Sequence, residues 1–186
     1  MKNSVLSPIG LLICLLVCQP SFQVLAQKEL ASTGPQAPQL EFVCELHVKI
    51  APAMVVGETP HGTRRIIPIT GRTFSGPNMK GTIINGGADW QILRKDGTTE
   101  LSALYTLQTD DGVLIYVNNK GIRTATPEVA RRIANGEKVS PNDYYFRAAP
   151  TFETPPGKYE WLTQTLFISK GIRDPDGVII QVWKIL

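Results

Sequence analysis

Asp89 and Gln91 stand two residues apart, just past the glycine pair Gly86-Gly87 with Ala88 between, and on either side of Trp90. In an extended chain successive side chains point to opposite faces. Asp89 and Gln91 therefore share one face, while Trp90 and Ile92 take the other. If that face turns into an apolar enclosure, the two polar groups would orient a ligand. Loss of water around Asp89 would raise its pKa and suit it to acid–base work. The simpler role is local, because an aspartate after two glycines commonly accepts backbone N–H groups of the turn. A second constellation is Tyr144-Tyr145-Phe146-Arg147. Alternation puts Tyr145 and Arg147 together and Tyr144 and Phe146 opposite. Arg147 could hold the carboxylate or carbonyl of a ligand, with Tyr145 donating beside it. It could equally pair with Glu153 or Asp89 at the rim of a barrel. Tyr105 shares a face with Leu101, Ala103 and Leu107, and Trp161 shares one with Tyr159. Aromatics on half-buried strands are chiefly core.

Other chemistries lack their residues. The two histidines, His47 and His61, are 14 positions apart with no H-x-H or H-E-x-x-H spacing, so no metal site is expected. Ser75 lies in F-S-G-P, which is not the G-x-S-x-G elbow of a serine hydrolase. Asn85-Gly86-Gly87 is followed by neither a helix nor a lysine, which argues against a phosphate cradle. The pattern contains no βαβ unit, so neither a dinucleotide nor any other cofactor is expected.

The elements that must position Asp89 read as strands. Glycines at 71, 76, 81, 86, 87, 97 and 112 separate short apolar runs, the punctuation of a tightly turned antiparallel sheet. Leu40 to Ile50 alternates most cleanly, with Cys44 among its inward residues. Pro52 to Gly62 reads as a loop, and Thr63 to Thr70 as a strand whose Pro68 suggests an edge or bulge. Asp96-Gly97 is a strong hairpin signal. Asp143 to Ala148, Lys158 to Ser169 and Val178 to Ile185 are further strands. One helix is expected, with Thr126 as cap, Pro127 in the first turn, Val129 and Ile133 as its apolar stripe and Gly136 as terminator. About nine residues long, it would need to pack on the sheet, closing one end.

The first 26 residues read as a signal peptide: Lys2, an apolar core over Ile9 to Val17, and Val24-Leu25-Ala26 before the expected cut. A periplasmic or secreted protein follows, with no membrane span once cleaved. Removing 26 of 186 residues leaves 160, enough for one domain. Residues 27–39 read as a flexible linker and residues 40–186 as the domain. With Lys2 gone the net charge is about +2 and scattered, which does not indicate nucleic acid. Cys14 and Cys18 leave with the signal, so Cys44 has no disulfide partner and reads as a small core residue.

Several segments carry a resemblance: TFSGP, GGADWQILRKDG, YTLQTDDG, YYFRAAPTFET, YEWL and GIRD. In order and spacing they resemble the bacterial DUF3237 (UPF0311) family, over about Leu40 to Leu186. The resemblance implies a compact, lipocalin-like antiparallel β-barrel and brings no settled activity. The family's Asp-Ala-Arg-Tyr motif is replaced here by Ser102-Ala103-Leu104-Tyr105, and an Arg-Thr pair by Arg147-Ala148. Together the readings give an all-β barrel of eight to ten strands with one helix. The leading function is binding of a small, largely apolar molecule in the lumen, with Asp89, Gln91, Tyr105, Tyr145, Arg147 and Trp161 as contacts. The alternative is a lyase, isomerase or hydrolase that uses Asp89 as acid or base and Arg147 to stabilise an anion. A third is a structural or interaction domain whose lumen is filled.

Overall fold

The structure, a computed structural model, describes residues 34–186. The expected signal peptide, its cleavage point and the first part of the linker lie outside these residues. Residues 34–39 are irregular and exposed.

Ten strands form one antiparallel sheet: β1 (Leu40–Ile50), β2 (Met54–Thr59), β3 (Gly62–Ser75), β4 (Lys80–Ile83), β5 (Gly87–Leu93), β6 (Thr99–Thr109), β7 (Leu114–Ala125), β8 (Tyr144–Glu153), β9 (Phe167–Asp174) and β10 (Gly177–Ile185). The sheet closes because β3, the longest strand, serves both ends of it. Its second half pairs with β1 on one side and β4 on the other. Its first half pairs with β2 and β5. So β1 and β2 share one position of the ring, as do β4 and β5, and the ten strands make an eight-position barrel. Closure leaves few unpaired strand edges, and eight positions give an interior that side chains can fill or that holds one small ligand.

The breaks in the ring have local causes. Pro68, which has no N–H to give a ladder, falls where β1 gives way to β2: Ile69 pairs with Ile50, and the next partner on that side is Ile66 with Met54. The segment expected as a loop after Pro52 thus contains a strand. Met54, Val55 and Val56 suit extended structure, and the tight turn is confined to Pro60 and His61.

The expected strand over Lys158 to Ser169 is also corrected. Glu160–Thr163 is a 3₁₀ turn, and β9 begins only at Phe167. Here the Thr163 and Thr165 hydroxyls donate to the Glu160 and Trp161 carbonyls at 2.8 and 2.9 Å. Such local bonds compete with a sheet ladder.

The helix α1 (Pro127–Ala134) forms as the sequence indicates. Thr126 Oγ1 accepts the Val129 N–H at 3.3 Å, Pro127 opens the first turn, and Gly136 follows the C-cap in a positive-φ conformation. Ile133 is buried and Val129 packs on the core.

The two ends of the barrel differ. At one, Leu107, Ile115, Phe152, Phe167 and Leu162 are buried against one another, with the Phe152 and Phe167 rings edge-to-face at 4.9 Å. This end is filled. The other end, where β7 runs into α1, is lined by longer polar side chains around an open cavity.

Candidate functional site

Position and backbone together aim Asp89 into the barrel. Gly86 takes φ +118°, a conformation L side chains rarely adopt. At Gly87 a Cβ would meet Tyr105 Cβ at 2.5 Å and the Leu104 carbonyl at 2.6 Å. Gly87 therefore lets β5 lie close on β6. Three residues in, the β5–β6 ladder opens. Asp89 pairs with Ala103 and Ile92 with Glu100, while the two positions between have no ladder pairing. The Asp89 carboxylate occupies that gap and accepts the Ser102 backbone N–H at 2.9 Å. The aspartate thus takes a backbone donor from the neighbouring strand rather than from its own turn.

A directional polar chain runs on from there. Gln91 Nε2 donates to Asp89 Oδ2 at 2.5 Å, and Arg65 Nε donates to Gln91 Oε1 at 2.8 Å. Asp89, Gln91, Tyr105 and Asn119 line an inner cavity of about 50 Å³ whose other walls include Val48, Ile69, Phe146 and Ile180. A wider cavity of about 350 Å³ lies towards α1, lined by Arg65, Arg123, Arg173, Thr99, Ala130 and Ile133 among others. Ile50, Ile67 and Arg173 border both.

Burial sets the electrostatics. It raises the pKa of Asp89, opposed by the Gln91 and Ser102 hydrogen bonds and by the charges of Arg123 and Arg65. Burial also pushes the Tyr105 phenol up. Arg123 is drawn down to about 10, first by burial and then by Arg173 and Arg65, with Asp89 opposing. It remains a cation at neutral pH. Arg65 and Arg173 are lowered too, chiefly by burial.

Of the residues expected at a site, Asp89, Gln91 and Tyr105 come together. Tyr145 and Arg147 do not join them. Both are exposed on the outer wall, where the Arg147 guanidinium lies 5.3 Å from the Tyr145 ring centroid and donates to the Phe146 carbonyl at 2.9 Å. Alternation separated the two faces of β8 correctly, but it is Tyr144 and Phe146 that turn inward. Trp161 sits on the 3₁₀ turn near the filled end, packed against Phe167, beside a separate surface cavity with Lys184 and Met79. Arg147 pairs with neither Glu153 nor Asp89 among the described residues.

Sequence reasoning passed over the three inward arginines. The signal was the same period of two. Arg65 alternates with Ile67 and Ile69. Arg123 continues the face of Ile115, Val117 and Asn119, and Arg173 that of Phe167, Ser169 and Gly171. Among the described residues no group of three or more His, Cys, Asp or Glu is placed to hold a metal ion. No helix there is long and apolar enough to cross a membrane.

Known proteins share this architecture. A UPF0311 protein of Rhodopseudomonas palustris is 41% identical over 151 residues, 80% of this chain and 99% of its own. The crystal structure of a conserved R. palustris protein of unknown function matches with a TM-score of 0.78 at 39% identity, covering 82% of this chain and all of that one. A β-barrel-like protein from Acinetobacter baumannii matches with a TM-score of 0.72 at 40% identity, covering 83% of this chain and 99% of that one. More distant is a hydroalkoxylation enzyme of Penicillium herquei, 30% identical over 128 residues, 69% of this chain and 70% of its own. The structure of an enzyme from the same fungus matches with a TM-score of 0.63 at 25% identity, covering 83% of this chain and 98% of that one. The profile of the family described as protein of unknown function DUF3237 matches residues 38–185, and with these relatives it shows that the chain belongs to that family.

Proposed function

We propose that the barrel binds a small organic molecule with an apolar body, held between the Asp89–Gln91 pair and the aliphatic wall. One observation carries this reading. A carboxylate and an amide, each already fixed by protein hydrogen bonds, line an otherwise largely apolar cavity that continues into a larger one. Pre-oriented polar groups in an apolar enclosure are the usual make-up of a ligand site. The test is titration with a neutral naphthalene probe, 2-naphthylmethanol, followed by its fluorescence. Saturable binding to the wild type is expected, with loss in Ala103→Phe, where the added ring fills the inner cavity. Equal binding to the variant overturns the reading, as does a wild type that saturates with neither this alcohol nor the carboxylate of the same ring.

A second reading is that the site also catalyses proton transfer. The buried, upward-shifted carboxyl of Asp89 supports it, as does the relation to a hydroalkoxylation enzyme. In such an addition an O–H adds across a C=C bond. The Asp89 carboxylic acid would deliver its proton to one alkene carbon. The oxygen would bond to the other carbon, and the hydroxyl proton would return to Asp89. No oxidant or reductant is consumed. An alkenyl naphthol incubated in deuterated water should close to a cyclic ether carrying one deuterium on carbon. Closure at the same rate with Asp89→Asn rejects Asp89 as the acid.

A further inference from the structure

Three cationic side chains meet at the α1 end of the barrel from widely separated strands. Arg65 comes from β3, Arg123 from β7 and Arg173 from β9, and all three line the same cavity. Going round the eight-position ring, the intervals between them are three, two and three positions. They surround the opening rather than crowd one wall.

Their charge is not balanced locally. The arginine ion pairs of the described residues use Arg72, Arg94 and Arg132, and none of the three at the opening. Asp89 reaches them only through Gln91 and longer-range attraction. The other carboxylate acting on the cluster, Asp174 beside Arg173, is itself paired with Arg72 at 3.6 Å, so positive charge is in excess at the opening.

One unpaired donor points the same way: Arg173 Nε, at this opening, is buried with no hydrogen-bond partner. Unpartnered buried polar atoms cost stability. Like charges brought together away from water cost more. A fold that keeps all of these at one opening is complementary to something that supplies anionic oxygens there.

We propose that Arg65, Arg123 and Arg173 form an anion subsite at the mouth of the barrel, which takes the carboxylate of an amphipathic organic acid while its apolar body enters the lumen. Guanidinium forks match planar carboxylates better than a single ammonium does. The geometry also orders the ligand. Its charged end stays beneath α1, and its body lies along Ile67, Ile69 and Phe146 towards Asp89. The proposal names the ligand class for the cavity described above and rests on that cavity being a binding site.

The experiment separates the two. The full chain is titrated with 2-naphthoate and with neutral 2-naphthylmethanol, which share a ring system and differ in charge. The wild type is expected to prefer the acid by about tenfold or more, the scale of a charge-assisted contact. In Arg123→Gln/Arg173→Gln the preference should fall to near unity. Arg123→Lys should retain part of it, and circular dichroism checks that each variant is folded. If wild type binds the alcohol as tightly as the acid, or if the folded double glutamine variant keeps the preference, the anion subsite is overturned while the cavity reading stands. If wild type binds neither probe, both are overturned. Should the double variant not fold, the single Arg173→Gln variant decides by the same comparison.

Discussion

Gln91 holds Asp89 through an amide that can point only one way: its Nε2 donates to the carboxylate at 2.5 Å because its Oε1 is taken by Arg65 Nε at 2.8 Å. An asparagine at 89 cannot enter this chain unchanged. It can keep the Ser102 N–H on Oδ1, but its own NH₂ would then face the Gln91 NH₂. Either amide must turn, and one hydrogen bond is lost.

That conflict predicts the pH behaviour of Asp89→Asn. The folded state raises the Asp89 pKa, so it holds the proton more tightly than the unfolded chain does. The protonated carboxyl's contribution is complete below the ordinary carboxylate range and is lost as pH rises through the raised folded value. Asp89→Asn should remove this slope, at a cost of about 1 kcal/mol for the broken bond. Urea denaturation at several pH values reads both. An identical slope in wild type and variant would show that Asp89 is not the group responsible.

Phe146 and Gly171 form a second testable pair. A Cβ at Gly171 would sit 2.4 Å from the Phe146 ring, so β9 carries a glycine where the ring lies against it. Gly171→Ala should cost about 1–3 kcal/mol, as overpacking does, or swing the ring into the inner cavity and weaken probe binding. Adding Phe146→Leu should recover part of the loss. The double-mutant cycle measures this coupling, and strictly additive effects would contradict it.

At the filled end, Asp111 ties two segments together. Its carboxylate accepts Lys158 Nζ at 2.8 Å, Tyr159 Oη at 3.0 Å and Thr109 Oγ1 at 2.5 Å. These hold its pKa well below the ordinary range, led by Lys158. The sign is opposite to that of Asp89. Stability from Asp111 is present above the ordinary carboxylate range and is lost as pH falls below it. Asp111→Asn should lower Tm at neutral pH, and the gap to wild type should narrow in acid. A gap that is constant with pH would mean that the ionised form contributes nothing.

Cys44 is fully buried and its thiol is pushed up to about 12 by that burial. In a chain carrying Cys14→Ser and Cys18→Ser, it should react with Ellman's reagent only as fast as the protein unfolds. Fast labelling of the native protein would place the sulfur nearer the surface than the structure does.

The sequence disclosed the parts of this molecule that depend on local rules. Period-two alternation, the turn glycines and the helix cap involve neighbours in the chain, and β1, the Asp96-Gly97 hairpin and α1 formed accordingly. Asp89, Gln91 and Tyr105 were found because two neighbouring strands present them. What remained hidden was long-range. Which face of β8 turns inward depends on its register with β7, where Arg123 lies opposite Phe146. That register sends Arg147 outward. The convergence of Arg65, Arg123 and Arg173 depends on barrel closure, which no local pattern encodes. The 3₁₀ turn at Trp161 was missed because two threonine hydroxyls bonding back along the chain outweighed a sequence that alternates like a strand.

The unequal ends of the barrel bear on traffic through it. With Phe152, Phe167 and Leu162 buried at one end of the described barrel, a ligand that enters past the arginines, as proposed, would have to leave past them. Arrival and departure then exclude each other in time. A molecule altered inside the cavity blocks its successor until it withdraws, so a product that keeps its acid group would act as a competitive inhibitor of its own formation.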